Sequence, residues 1–176
     1  RPKKSGTKSF DVKQKTYDLI DLQTEDTTSN LFLIDSSSQK QRGRLLHSII
    51  ESVDKHEFRE SDYDISSKDN DVLRAYFEHP FTKELYQYTL YHEAAIAYQL
   101  DESVVYGYVD MISESDKRVV IVDFKSDNIV NSQQLIDRYE NQLLKYAEGL
   151  KKVYHDKSIE AYLYSFTLNE YFKVTL

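Results

Sequence analysis

Asp110, Asp123 and Lys125 are the residues whose types and spacing imply chemistry most directly. Asp123 opens Asp123-Phe124-Lys125 at the end of the apolar run Val119-Val120-Ile121-Val122, and Asp110 lies thirteen positions earlier. Two carboxylates and an ammonium gathered at a strand end can support metal-assisted hydrolysis of a phosphodiester. Opposed residues in an antiparallel hairpin have numbers of constant sum, so a two- or four-residue turn centred on Asp116-Lys117 sets Asp110 directly opposite Asp123. Their Cβ atoms would then lie about 5 Å apart, where two carboxylates repel unless a cation, a proton or a donor sits between them. A divalent metal fits best. Lys125 shares that face by the two-residue period, while Phe124 turns toward the core and leaves its carbonyl as a further hard oxygen ligand. Asp-x-Lys alone is a common pattern, and a surface hairpin with scattered charges is the plainer reading. The weight of the assignment has to come from the rest of the chain.

Other candidates lie around this trio. Gly43-x-x-x-His47 falls within a helical pattern that puts both residues on one face. A mid-helix Gly costs about 1 kcal/mol relative to Ala, so Gly43 calls for the close approach of a backbone or a substrate. His47 offers a neutral imidazole to a metal, although a lone helical His more often packs or faces solvent. His56, His79, His92 and His155 lack such companions and are read as surface. Gly107 lies just ahead of Asp110 in Gly107-Tyr108-Val109-Asp110, where a strand Gly marks a bulge or a ligand's close approach. Glu93, on the preceding strand, is a candidate supporting or second-metal carboxylate, against the default of an exposed strand Glu.

Arg138, Gln142 and Tyr146 recur at helical spacing beside an apolar stripe, a row suited to a sugar-phosphate backbone or an attacking water. For Arg138 the polar flank of an amphipathic helix is the preferred reading. Tyr106 and Tyr108 could stack on the bases of a single strand. Tyr is also a good strand former, and sheet packing is preferred.

The elements that must position these residues follow from periodicity. Residues 1–30 are polar and read as linker or a loosely docked arm. Leu31-Phe32-Leu33-Ile34 is a candidate short strand or anchor. An amphipathic helix over about 39–56 carries Leu46, Ile49, Ile50 and Val53. Residues 57–71 are acidic and loop-like, followed by short helices near 72–78 and 82–88, with Pro80 near the start of the second. Strands are expected over 90–100, 104–114 and 118–125, the last nearly all apolar and so central. A long helix over 132–154 presents Ile136, Tyr139, Leu143, Ala147, Leu150 and Val153 to the sheet. Strands over 160–167 and 171–176 end the chain. The core order is helix, three strands, helix, strand, an α/β domain over 39–176 with 1–38 as a tether.

A length of 176 residues suits one domain with a real core. The absence of cysteine excludes disulfides, zinc-thiolate sites and a cysteine-bound iron–sulfur cluster. No apolar run approaches the ~20 residues of a membrane span and no secretory signal is evident, so a cytoplasmic location is expected. Because the chain opens on Arg1 rather than Met, it is expected to be part of a longer polypeptide. Arg1, Lys3, Lys4, Lys8, Lys13 and Lys15 face only Asp11 in the first fifteen residues, so the remainder carries more than the whole net charge of −7. That acidity argues against a self-sufficient, high-affinity DNA binder and suits a catalytic module that receives its strand from a neighbouring domain.

Gly43-x-x-x-His47, Gly107-x-x-Asp110, Asp123-x-Lys125 and Tyr139-x-x-Gln142-Leu143-x-x-Tyr146, in this order and at these intervals, resemble the RecB-type nucleases of the PD-(D/E)xK superfamily. The nearest likeness is to the C-terminal nuclease domain of AddA-type helicase-nucleases. It runs from about Gln39 to the end, where Tyr162-Leu163-Tyr164-Ser165-Phe166 looks like the closing hairpin of that family. The resemblance implies a restriction-endonuclease-like core, a mixed central sheet flanked by helices, with the metal site at splayed strand ends. It implies that His47, Asp110, Asp123 and the Phe124 carbonyl bind Mg²⁺ or Mn²⁺, one ion or two, and that Lys125 positions or activates the attacking water. Gln142 and Tyr146 would order the site. Gly43 and Arg138 are, from the residues themselves, candidates for contact with the substrate. Implied partners are DNA, as a single strand fed by a helicase domain of the same polypeptide, and an AddB-like subunit. Related branches carry a four-cysteine iron–sulfur staple that this chain lacks.

The function expected is that of a metal-dependent exodeoxyribonuclease domain in an ATP-dependent helicase-nuclease, acting on broken DNA ends in recombinational repair. Two rivals are a catalytically silent nuclease-fold module for DNA-end recognition or scaffolding, and a stand-alone nuclease of phage or restriction type. The complete ligand set disfavours the first, because a metal site without function leaves like charges unrelieved.

Overall fold

The computed structural model describes residues 18–22, 36–53, 57–129 and 131–176. Within them a six-stranded mixed sheet is flanked by helices on both faces, the restriction-endonuclease-like α/β arrangement expected. In chain order the elements are β1 (Asp18–Asp21), α1 (Ser36–Ser52), a short 3₁₀ turn (Glu60–Asp62), α2 (Ser67–Glu78) and α3 (Pro80–Leu85). There follow β2 (Thr89–Leu100), β3 (Ser103–Glu114), β4 (Arg118–Lys125), α4 (Ser132–Lys151), β5 (Ser158–Ser165) and β6 (Glu170–Val174). No described helix is long and apolar enough to cross a membrane.

Local chemistry sets the helix starts. The Ser66 hydroxyl caps α2 by accepting from Asp69 N, and Asn131 caps α4 by accepting from Gln133 N and Gln134 N. Pro80 occupies the first turn of α3, where a missing N–H costs nothing. His79, read from the sequence as surface, instead caps α3 through Nδ1, which accepts from Phe81 N. His92, read likewise, is half-buried on β2. The long helix stops at Lys151, so Val153, expected on its buried stripe, is 69% exposed. Leu135 and Tyr146 complete the stripe instead.

Strands β2, β3 and β4 form an antiparallel meander, and α4 is the crossover that returns the chain to lay β5 parallel to β4. β4 pairs on both edges and is buried from Val119 to Phe124, as its apolar run predicts. One core lies between the sheet and α4, from Val105, Val109, Ile112 and Ile121 to Leu135, Leu143, Tyr146 and Leu150. The other lies between the opposite face and α1 to α3, with Leu46, Ile50, Leu73 and Tyr76 against Val120, Val122 and Phe124. It is rich in rings: Phe124 meets Tyr76 edge-on at 5.4 Å and stacks on Phe166 at 5.8 Å. That packing fixes the backbone between Asp123 and Lys125.

The stretch 1–38, read as a tether, contributes β1, which pairs in parallel with the start of β3 and brings the buried Leu22 into the α4-side core. The edge of the sheet therefore lies upstream of residue 39. Parallel pairing of four short residues leaves little sequence signal, and Asp18 and Asp21 mask the strand pattern. The readings at Leu31–Ile34, at His56 and over most of 1–30 lie outside the described residues.

Candidate active site

The site lies where the sheet divides. One edge of β3 is shared by two strands: β1 pairs with it up to Asp21 opposite Tyr106, and β4 pairs with it from Val122 opposite Met111. Leu22 N extends the first ladder by donating to Tyr106 O at 3.1 Å. Between them Gly107 to Asp110 pair with neither strand on that edge. Unpaired backbone carbonyls need donors, and α4 provides them. The Tyr146 hydroxyl donates to Tyr108 O at 2.8 Å, and Gln142 Nε2 donates to Leu22 O at 3.1 Å and to Tyr146 Oη at 3.2 Å. Gly107 lets Tyr146 come this close, since a Cβ there would stand 3.0 Å from Tyr146 Cε1 and 3.2 Å from Leu22 Cβ. What approaches Gly107 is a side chain of the protein itself.

The two carboxylates face each other one step beyond the last rung. Ser115 N donates to Arg118 O at 2.9 Å, closing a two-residue turn at Asp116-Lys117, and the register from Glu114–Val119 to Met111–Val122 extends to Asp110 opposite Asp123. There the strands part, and Asp110 Oδ2 accepts from Phe124 N at 2.7 Å in place of a ladder bond. The other side of β3 is broken at the same level. Glu93 lies opposite Asp110 between the pairs His92–Met111 and Ala94–Val109, and its φ of 46° is left-handed. Val109 packs on the α4 side but Met111 on the other, and Leu90 and Ala94 of β2 differ in the same way. Both strands thus exchange faces at Glu93 and Asp110. A left-handed non-glycine costs about 1–3 kcal/mol and persists where the surroundings over-determine it.

Lys125 Nζ lies 2.7 Å from Asp123 Oδ2, 3.5 Å from Gln142 Oε1 and 3.9 Å from the centre of the Tyr139 ring. Asp123 Oδ2 is buried, and the Lys125 ammonium is its close partner. Tyr139 is held in turn by Asp127: its hydroxyl lies 3.0 Å from each Asp127 oxygen, and Arg138 Nη1 donates to Oδ1 at 3.1 Å. Sequence reasoning missed Asp127. Its signal was the alternation Asp123, Lys125, Asp127 on one face of the strand and its continuation.

Ligand atoms of His47, Glu93 and Asp110 lie within 4.8 Å of one another, with His47 Nδ1 3.8 Å from Asp110 Oδ2. Among the described residues this is the group with ligand atoms close enough to hold an ion, and it includes Glu93, the weakest of the expected acids. Asp123, expected in the same set, is turned to Lys125 and acts on the group through charge. Burial, then the Asp123 charge, pushes the Asp110 carboxyl well above its usual range. Burial pulls the His47 imidazole down, leaving it neutral at physiological pH. Burial also opposes the Lys125 ammonium, but Asp123 and Asp110 outweigh it and raise its pKa. Glu93 is raised by burial and by Glu51, one turn beyond His47, a neighbour the sequence did not single out. A divalent cation fits this donor set: a neutral imidazole and carboxylates crowded against their own charge.

His47, Asp110, Asp123 and Lys125 line a cleft of about 330 Å³ with Leu22, Tyr108, Phe124, Arg138, Tyr139, Asn141 and Gln142. Arg138 thus reaches the cleft while paired to Asp127. Tyr146 is buried and positions Gln142 from behind. Gly43 lies against Ser126, whose Oγ would stand 2.6 Å from an added Cβ, so the glycine seats α1 on the chain just past Lys125.

No family model matches the chain. It is 29% identical over 97 residues, 55% of its length, to an AddA-type ATP-dependent helicase/nuclease of Clostridium botulinum (strain Alaska E43 / Type E3). It is 38% identical over 63 residues, 36% of its length, to the protein of the same name from Streptococcus agalactiae (serotype Ia). The chain spans 8% and 5% of the length of these two relatives. The relationship expected from the ordered motifs, to AddA-type helicase-nucleases, is present in the sequence, and it joins this chain to a short portion of those much longer proteins.

Proposed function

We propose that this chain is a divalent-metal-dependent deoxyribonuclease domain that hydrolyses DNA phosphodiesters as the exonuclease part of a helicase-nuclease working on broken DNA ends. The observation that carries the reading is the convergence of Asp110, Asp123, Lys125 and His47 at the division of the sheet, in a cleft open to solvent. His47, Asp110 and Glu93 would hold Mg²⁺ or Mn²⁺, with Asp123 and the Phe124 carbonyl beside them. When bound, the metal supplies Lewis-acid polarisation of the phosphate and a more acidic water.

The chain's own residues do the rest. Lys125, kept as an ammonium by its two carboxylates, stabilises negative charge that grows on the phosphoryl oxygens. Tyr139 and Gln142 confine its flexible stem to one direction. Tyr146 and Gln142 hold the carbonyls of Tyr108 and Leu22 and so keep the cleft at fixed width. Arg138 and Asn141 at the rim suit contacts to flanking phosphates. A helicase domain in the same polypeptide would feed the strand, and an AddB-like partner would accompany it; the relatives' designation as helicase-nucleases supports this context.

The test is a titration of Mg²⁺ and Mn²⁺ with end-labelled linear DNA and with circular DNA, wild type beside Lys125→Ala. Metal-dependent shortening of linear DNA, absent in the variant, is expected. Cleavage that survives the substitution or proceeds in chelator rejects the reading.

A further inference from the structure

Helix α1 brings more than His47 to the border of the site. About its axis Lys40, Arg44 and Glu51 lie within about 60° of His47, all three exposed, while Gly43, Leu46 and Ile50 are buried on the other side. The strip changes sign along the helix. At one end Glu51 stands against Glu93 of β2, which belongs to the ligand group. At the other, Arg44 and Lys40 lie about 4.5 Å and about 10.5 Å from His47 along the axis, and among the described residues neither meets a carboxylate. Gly43 seats this basic half against Ser126, just past Lys125. Acidic residues outnumber Lys and Arg by 30 to 23, and Arg42, Arg59, Arg74, Arg118 and Arg138, the other arginines of the described residues, are each held by a carboxylate. Arg44 is the exception, and it lies one turn from His47.

From this we infer that Arg44 and Lys40 hold successive phosphates on one side of the scissile linkage. The DNA backbone then runs from the cation site along α1 toward the N-terminal end of the helix, and away from Glu51 and Glu93. A guanidinium fork matches a phosphate with two parallel hydrogen bonds, and the Lys40 ammonium adds a point charge one turn further on. Such contacts fix the register and direction of a strand without reading its bases. The acidic half of the strip repels the same backbone, so the change of sign selects one of the two ways along the helix. The inference rests on the nuclease reading for its ligand and adds to it the path of the substrate.

The test is the salt dependence of kcat/KM for end-labelled linear DNA in Mg²⁺. Arg44→Ala and Lys40→Ala should each raise KM about fivefold to tenfold with kcat kept, and each should flatten the slope of log kcat/KM against log salt by about 0.7 to 0.9. Arg44→Lys, which keeps the charge, should restore the slope. Lys117→Ala removes an exposed cation from the β3–β4 turn, at the far end of those strands from Asp110 and Asp123, and should change neither quantity. A methylphosphonate, which neutralises one linkage, should slow wild-type cleavage when placed on one side of the scissile bond and make no further difference to Arg44→Ala. If the alanine variants keep the wild-type KM and slope, or Lys117→Ala loses as much, α1 does not guide the backbone and the nuclease reading stands. A lowered melting temperature with unchanged KM would mean that the two cations dock a segment of the polypeptide instead, and it too overturns the track. If wild type cuts no DNA with either metal, the nuclease reading falls and takes the inference with it.

Discussion

Lys125 carries its ammonium 3.9 Å above the ring of Tyr139, and the hydroxyl of that same tyrosine is held by both oxygens of Asp127. Ring and carboxylate together aim a long, flexible cation that would otherwise sample many rotamers. Desolvated cation–π contacts are worth up to about 2 kcal/mol. Tyr139→Leu is therefore expected to lower kcat by about tenfold with little change in KM, while Tyr139→Phe, which keeps the ring, retains most of the rate. Single-turnover cleavage of a labelled strand checks this. Equal losses in the two variants would show that the ring does not orient the cation.

Gln142 and Tyr146 close the division between β1 and β4 by donating to carbonyls that neither strand satisfies. Removing one donor to a buried acceptor costs about 1–3 kcal/mol. Tyr146→Phe should lower global stability by that amount in denaturant titration and reduce activity secondarily. An unchanged midpoint would mean that water takes over the bond.

Gly107 has room for hydrogen only, since an added Cβ meets the Tyr146 ring at 3.0 Å and the hydroxyl at 3.1 Å. Forcing a methyl group into a packed interior costs about 1–3 kcal/mol. Gly107→Ala is expected to destabilise by that amount, and Gly107→Ala with Tyr146→Leu by less than the sum of the two single changes. Strict additivity would place the strain elsewhere.

The crowded carboxylates give the metal-free protein a distinctive pH response. Because burial and Asp123 raise the folded-state pKa of Asp110, the native state binds more protons there than the unfolded chain between the two pKa values. Stability of the metal-free protein should fall as pH rises through that window, and Mg²⁺ or Mn²⁺ should restore it at neutral pH but not in acid. Asp110→Asn should weaken both effects, with Glu93, also raised by burial, carrying the remainder of the pH dependence. Melting curves in chelator and in metal decide the point; a metal-independent Tm at neutral pH would argue against a cation at this position.

Much of this was legible in the sequence because period and turn chemistry agreed. The constant-sum register set Asp110 opposite Asp123 across Asp116-Lys117, and the period of two put Lys125 beside Asp123 and Phe124 in the opposite core. What could not be read depends on contacts between distant segments. β1 is too short for a pattern of its own. The exchange of faces at Glu93 and Asp110 breaks the two-residue alternation, so Glu93, an ordinary exposed strand acid by sequence, stands beside His47. Asp127 finds Tyr139 only after α4 folds back. Tyr108, expected to pack in the sheet, is 46% exposed, because the composition of a strand does not reveal which of its side chains the neighbouring elements cover.

The most direct measurement is Mn²⁺ binding by electron paramagnetic resonance to the wild type, His47→Ala, Asp110→Asn and Glu93→Gln. Saturable binding in the wild type, with affinity lowered about tenfold or more in each variant and the fold retained by circular dichroism, is the expected result. Undiminished binding in all three variants would contradict the claim that the divided sheet holds a catalytic cation.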